Sequence, residues 1–149
     1  MEDAEARLEA ALVKYLPGVA AIGRSAIKRL RGRFPACDAL VYDNYQALAV
    51  SISPDGKTGS AFISVALYPR WITLFFLHGA GLSDPDGILA GSGAAVRSLR
   101  LARAEDLDHP AIRALVDAAE AAAILPDPAR EGRLVMKSMS ARQRPRRPE

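Results

Sequence analysis

The chain is predicted to be an α+β protein: a two-layer sandwich with helices packed on one face of a mostly antiparallel sheet. Three observations predict it. Up to Phe34-Pro35 the apolar side chains recur at helical spacing, the middle alternates between tight turns, and a returning strand and helix follow. With 149 residues, half of them hydrophobic, the chain is of one-domain length and can bury a proper core. Residues 1–140 are read as that domain and 141–149 as a disordered basic tail.

Leu8, Leu12, Tyr15 and Leu16 share one helical face between Glu2 and Leu16, and the acids Glu2, Asp3 and Glu5 sit near its N-terminal end, where the helix dipole favours them. Pro17 suits the first turn of a second helix, with Val19, Ile22, Ala26 and Leu30 along one side. Its other side is basic: Arg24, Lys28 and Arg31, with Arg29 and Arg33 beside them. Phe34-Pro35 ends it.

Leu40 to Tyr42 reads as a short strand. Gln46 to Ser53 places Leu48, Val50 and Ile52 on one side and Ala47, Ala49, Ser51 and Ser53 on the other. Pro54-Asp55-Gly56 supplies a turn, Ala61 to Tyr68 runs back, Pro69-Arg70 turns again and Trp71 to Leu77 closes a meander. A glycine-rich loop leads to a strand over Val96 to Leu101. Asp106 or Asp108 is expected to cap a helix that has Pro110 in its first turn and ends before Pro126. Arg133 to Met139 either adds a strand or packs along the surface.

Charge and composition exclude several classes. Cys37 is alone, so neither an internal disulfide nor a cysteine metal cage can form. The acidic start lacks the pattern of a signal peptide, and no apolar run reaches membrane-spanning length, so a cytoplasmic protein is expected. The net charge of +3 is mild but uneven, because Arg130 to Glu149 holds Arg130, Arg133, Lys137, Arg142, Arg144, Arg146 and Arg147 against Glu131 and Glu149.

His78-Gly79-Ala80-Gly81 and Gly91-Ser92-Gly93 echo the oxyanion loop and nucleophile elbow of hydrolases. An elbow needs its serine at a strand-to-helix turn of a parallel sheet, whereas Ser92 precedes a strand. A phosphate cradle is the milder reading, with Arg97 or Arg100 pairing an anion, but no helix follows the glycines. The reading preferred is a route between strands. Glu2, Glu5 and Glu9 lie on one side of the first helix and offer oxygens to iron or another hard ion. The basic helix and the tail, with Tyr42, Tyr45, Tyr68 and Trp71 as stacking platforms, make nucleic acid a third candidate, without a recognised motif.

The stretches VYDNYQALAVSISP, VALYPRWITLFFLHGAGLSDPDGILAGSGAAVRSLRL and DHPAIRALVDAA resemble the YdhG-like family, a domain of unknown function that includes a frataxin-like intracellular iron chaperone. The resemblance spans roughly Leu40 to Ala123. It implies a small sandwich of helices against an antiparallel sheet. The family's recurring motifs fall on Tyr42, Asn44 and Tyr45, on Tyr68, Pro69 and Trp71, and on Gly91, Gly93 and Arg97. Relatives often carry a lysine after the second glycine, where this chain has Ala94. It also lacks a dense acidic ridge.

The function expected is non-catalytic binding of a small ligand, ion or protein partner on the exposed sheet face beside the Gly79–Gly93 loop. Tyr42, Tyr45, Tyr68 and Trp71 are to supply contact area, and Asn44, His78, Ser92, Arg97 and Arg100 polar orientation. No cofactor is required. Iron enters only through the chaperone alternative, on Glu2, Glu5 and Glu9. The oligomeric state is not legible.

Overall fold

A computed structural model describes residues 3–148. Its elements are α1 (Ala4–Leu12), α2 (Pro17–Arg33), β1 (Asp38–Asp43), β2 (Leu48–Ser53), β3 (Ile63–Leu67), β4 (Ile72–Phe76), β5 (Arg97–Leu101), α3 (Pro110–Ala122) and β6 (Leu134–Met139). The strands form one six-stranded sheet in the order β5-β4-β3-β2-β1-β6. Every pairing from β1 to β5 is antiparallel, as expected of a meander, and β6 joins the β1 edge in parallel. Of the two readings of Arg133 to Met139, the strand is the one formed.

Alternation sorts the sheet into two faces. Val41, Val50, Val65, Leu74 and Leu99 form one row, and Leu48, Leu67, Ile72 and Leu101 extend the same face. These side chains are buried in a single core with Leu8 and Leu12 of α1, Ala26, Ile27 and Leu30 of α2, and Leu115, Val116 and Ala119 of α3. Each large aliphatic so buried contributes about 1.5–3 kcal/mol of transfer free energy. Helices therefore pack on one face. Gly23 lets α2 approach closely, since a Cβ there would stand 2.5 Å from a methyl of Leu67.

Local details differ from the sequence reading in three places. First, α1 stops at Leu12, and Tyr15 turns inward from the connection. Its hydroxyl donates to the Leu67 carbonyl at 2.9 Å and accepts from the Leu48 amide at 3.1 Å, so burying it leaves no polar atom orphaned. Second, α3 is capped by His109, whose Nδ1 accepts from the Ala111 amide, rather than by Asp106 or Asp108. Asp106 closes the preceding turn on the amides of Ala102 and Arg103, and Asp108 pairs with Arg29.

The third difference is the tail. Residues 141–148, expected to be disordered, lie against the β1–β2 turn and the end of α1. The Arg144 amide donates to the Tyr45 carbonyl, and Arg147 donates to the carbonyls of Val13 and Lys14, which the end of α1 leaves without helical partners. Arg146 is buried.

Candidate functional site

The second face of the sheet carries no helix. By register its rows are Tyr42, Ala49, Ala66, Thr73 and Arg100, then Leu40, Ser51, Ser64, Phe75 and Ser98. Small residues form the floor: the Ser51 hydroxyl donates to that of Ser64 at 3.0 Å, and Ser64 in turn donates to the Val50 carbonyl. Larger groups stand on either side. On the β1 side, Tyr42 shares a 2.7 Å hydrogen bond with Thr58 of the Pro54–Ser60 loop. On the β4–β5 side, Phe75, Trp71 and Arg100 rise from the sheet. Between them Leu40, Ser51, Ser64, Ala66 and Thr73 are buried, so the hydroxyls and methyls of this face lie largely beneath their neighbours.

Its rim at the β3–β4 hairpin is a stacked ladder. The two-residue turn Pro69-Arg70 brings Tyr68 and Trp71 opposite each other, rings 5.4 Å apart and nearly parallel. The Arg100 guanidinium lies 4.2 Å from the centre of the Trp71 ring, on a neighbouring strand. Among the described residues Arg100 has no acidic partner within ion-pair distance, so its charge is available to a ligand.

The nine expected ligand residues do not converge. Tyr42, Tyr68, Trp71 and Arg100 share the open face, although Tyr42 and Arg100 are four strand spacings apart, roughly 19 Å. Arg97 stands opposite Phe76 on the helix-side face, three residues and therefore one face away from Arg100. Its guanidinium donates to the carbonyls of Gly93 and Val96 at 2.7 and 2.8 Å, which ties the glycine loop down instead of presenting charge. His78 follows β4 at the end away from Trp71, roughly 20 Å along the strand. There it borders a groove of about 710 Å³ with Asp55, Ser60, Phe62, Ile124 and Arg130. Ser92 is exposed on the loop.

The glycine-rich stretch is thus a route from β4 to its neighbour β5. Asp84 accepts from the amides of Ile88 and Leu89, Ala90 bridges to Ser98, and Gly91 takes φ +120°, which a side chain would strain. With Arg97 turned onto carbonyls, the loop does not assemble the converging donors of an anion cradle.

Asn44 and Tyr45 belong to a different place, the β1–β2 turn beneath the tail. Asn44 Oδ1 accepts from the Ser138 hydroxyl at 2.7 Å, and Tyr45 is 42% exposed. Sequence reasoning missed what lies beside them. Asp43 occupies an inward register position in the row of Leu48, Leu67 and Ile72, and it is matched by Arg146 at 3.1 Å. The Arg146 guanidinium also donates to the carbonyls of Asn44 and Tyr45 and lies 5.8 Å from the Tyr15 ring. Its Nε is buried without a partner. At the other end of β1, Asp38 receives Arg130 at 2.9 Å and the Arg133 amide at 2.9 Å. Those bonds, Arg130 first, hold the Asp38 carboxyl below its ordinary pKa despite burial. An acid at each end of a buried strand is a legible signal that cations must come from elsewhere, and the basic C-terminal stretch supplies both.

Glu5 and Glu9 each pair with an arginine of α2 while staying half or more exposed. Arg24 grips Glu9 through two bonds of 3.0 and 2.6 Å and holds its carboxyl below the usual range, and Arg31 binds Glu5 at 2.8 Å. Glu2 lies outside the described residues. Among the described residues no three His, Cys, Asp or Glu side chains are grouped to hold a metal ion. The arginines of α2 are paired in the same way, for Arg29 meets Glu105 and Asp108, and Arg33 meets Asp117 and Glu120, while Lys28 forms no ion pair among the described residues. Burial pushes the Cys37 thiol up, which keeps it protonated. No described helix is long and apolar enough to cross a membrane.

No family model matches the chain, and no curated protein and no solved structure matches it.

Proposed function

We propose that the protein is a non-catalytic binding domain whose open sheet face receives a planar ligand, or the planar side chain of a partner, carrying a negative group. The observation that carries this reading is a helix-free sheet face of small residues, Ala49, Ser51, Ser64, Ala66 and Thr73, edged by the Tyr68–Trp71–Arg100 ladder. Small floor residues admit a flat body, the edge of the Tyr68–Trp71 stack borders it, and Arg100 supplies charge that no acid neutralises. Membership of the YdhG-like family, on the strength of the motifs around Tyr42, Tyr68 and Trp71, belongs to the same proposal.

Trp71 is the only tryptophan, so its emission reports on the rim directly. Titration with a set of aromatic carboxylates is expected to quench it saturably. Ala66→Arg, which fills a floor position only 3% exposed, is expected to abolish the response while circular dichroism shows the fold intact. Quenching that survives in Ala66→Arg places the ligand elsewhere.

A further inference from the structure

We infer that the end of the molecule built from the β1–β2 turn, the close of α1 and the tail is a docking surface for an acidic, amphipathic segment of a partner protein. The inference does not depend on the open-face reading. Of the eight large hydrophobic residues exposed among those described, four lie on these segments: Val13 at 54%, Leu16 at 38%, Tyr45 at 42% and Met139 at 51%. Bonds tie the segments together. Arg147 binds the carbonyls of Val13 and Lys14, Arg144 binds the Tyr45 carbonyl, and the residue after Met139 donates to Asp43. Such a concentration marks an interaction site rather than scattered surface apolarity.

Among the described residues the exposed charge on these segments has one sign. Lys14, Lys137, Arg142, Arg144 and Arg147 are exposed, and the stretch from Leu134 to Pro148 contains no acid. Asp43, the carboxylate that the described bonds bring to this end, is consumed by Arg146. Arginine, methionine and tyrosine around an apolar centre is the composition of protein interfaces. A membrane surface is the poorer fit, because the basic segment is a proline-interrupted tail and not an amphipathic helix. Single-stranded nucleic acid is poorer too, since only Tyr45 among the four apolar groups can stack.

Arg146 explains how a tail of this composition can present a defined surface. Ordering each residue costs about 1–2 kcal/mol of backbone entropy. One buried guanidinium, bonded to Asp43, Asn44 and Tyr45, pins Arg144 and Arg147 on either side of it. The basic groups are then held before the partner arrives, which lowers the entropy lost on docking.

The test uses the full chain and a synthetic helical peptide of glutamate with leucines at i, i+3, i+4 and i+7, followed by fluorescence anisotropy. Polyglutamate, oligo(dT) and phosphatidylserine vesicles are the comparison probes. Saturable binding of the peptide is expected, weakened about tenfold or more by Val13→Ser with Met139→Ser and by Arg144→Gln with Arg147→Gln. Asp43→Asn with Arg146→Ala, which removes both buried charges together, is expected to weaken the peptide while circular dichroism shows the fold intact. The inference is overturned if polyglutamate binds as well as the peptide, if oligo(dT) or vesicles bind more tightly, if the peptide does not bind, or if the surface variants leave its affinity unchanged.

Discussion

Arg146 and Asp43, 103 residues apart in the chain, meet at 3.1 Å with both side chains almost wholly out of water. Removing one partner strands the other's charge. Arg146→Ala is therefore expected to cost about 3–5 kcal/mol, read in urea denaturation. Asp43→Asn with Arg146→Ala recovers a large part, because no unpaired charge is then buried. Equal loss in the single and double variants would show that packing, not charge, holds the tail.

Asp38 makes acid sensitivity the matching prediction for the other end of β1. Its pKa is depressed in the folded state, so its stabilisation is complete above the unfolded value of about 4 and disappears as pH falls through the lower folded value. The stability gap between the wild type and Asp38→Asn should be constant near neutrality and shrink below about pH 4. Denaturation series at several pH values measure that gap.

Arg100→Ala tests the ladder. An exposed cation–π contact is worth about 0.5–1 kcal/mol, so the stability change is expected to be small. The Trp71 emission should shift to the red as water replaces the guanidinium. An unchanged spectrum would mean that Arg100 does not cover Trp71 in solution.

Two glycines should respond in opposite directions to alanine. A Cβ on Gly132 would lie 1.8 Å from the Cys37 carbonyl oxygen, a backbone atom that cannot turn aside. Gly132→Ala is expected to destabilise by about 3 kcal/mol or more, beyond ordinary overpacking. Gly32, within α2, meets nothing within 4 Å, and Gly32→Ala should gain up to about 1 kcal/mol. Thermal melts of the two variants decide it.

Ferrous iron titrated anaerobically is expected to show no saturable site that depends on Glu5 and Glu9, because Arg24 takes both oxygens of Glu9 and Arg31 one of Glu5. Calorimetry with Glu5→Gln and Glu9→Gln checks this: heat lost in those variants would restore the iron-delivery reading.

What the sequence determined by itself is whatever local periodicity writes. The alternation of Leu48, Val50 and Ile52 against Ala49 and Ser51 specified which strand sides face the helices, and Pro17 and Pro110 marked two helix starts. The open face and its small-residue floor follow from the same alternation. Parity could also have separated Arg97 from Arg100, since an odd spacing on a strand changes face. Tertiary structure alone decided which charges meet. The acids of α1 and the arginines of α2 both have sound local explanations, and nothing local joins Glu9 to Arg24 across the helix pair. Likewise a tail rich in arginine and proline has no pattern from which to build a core. It becomes ordered because β6 adds in parallel to β1 and carries the chain past Asp43, a buried carboxylate that only a cation from a distant segment can match.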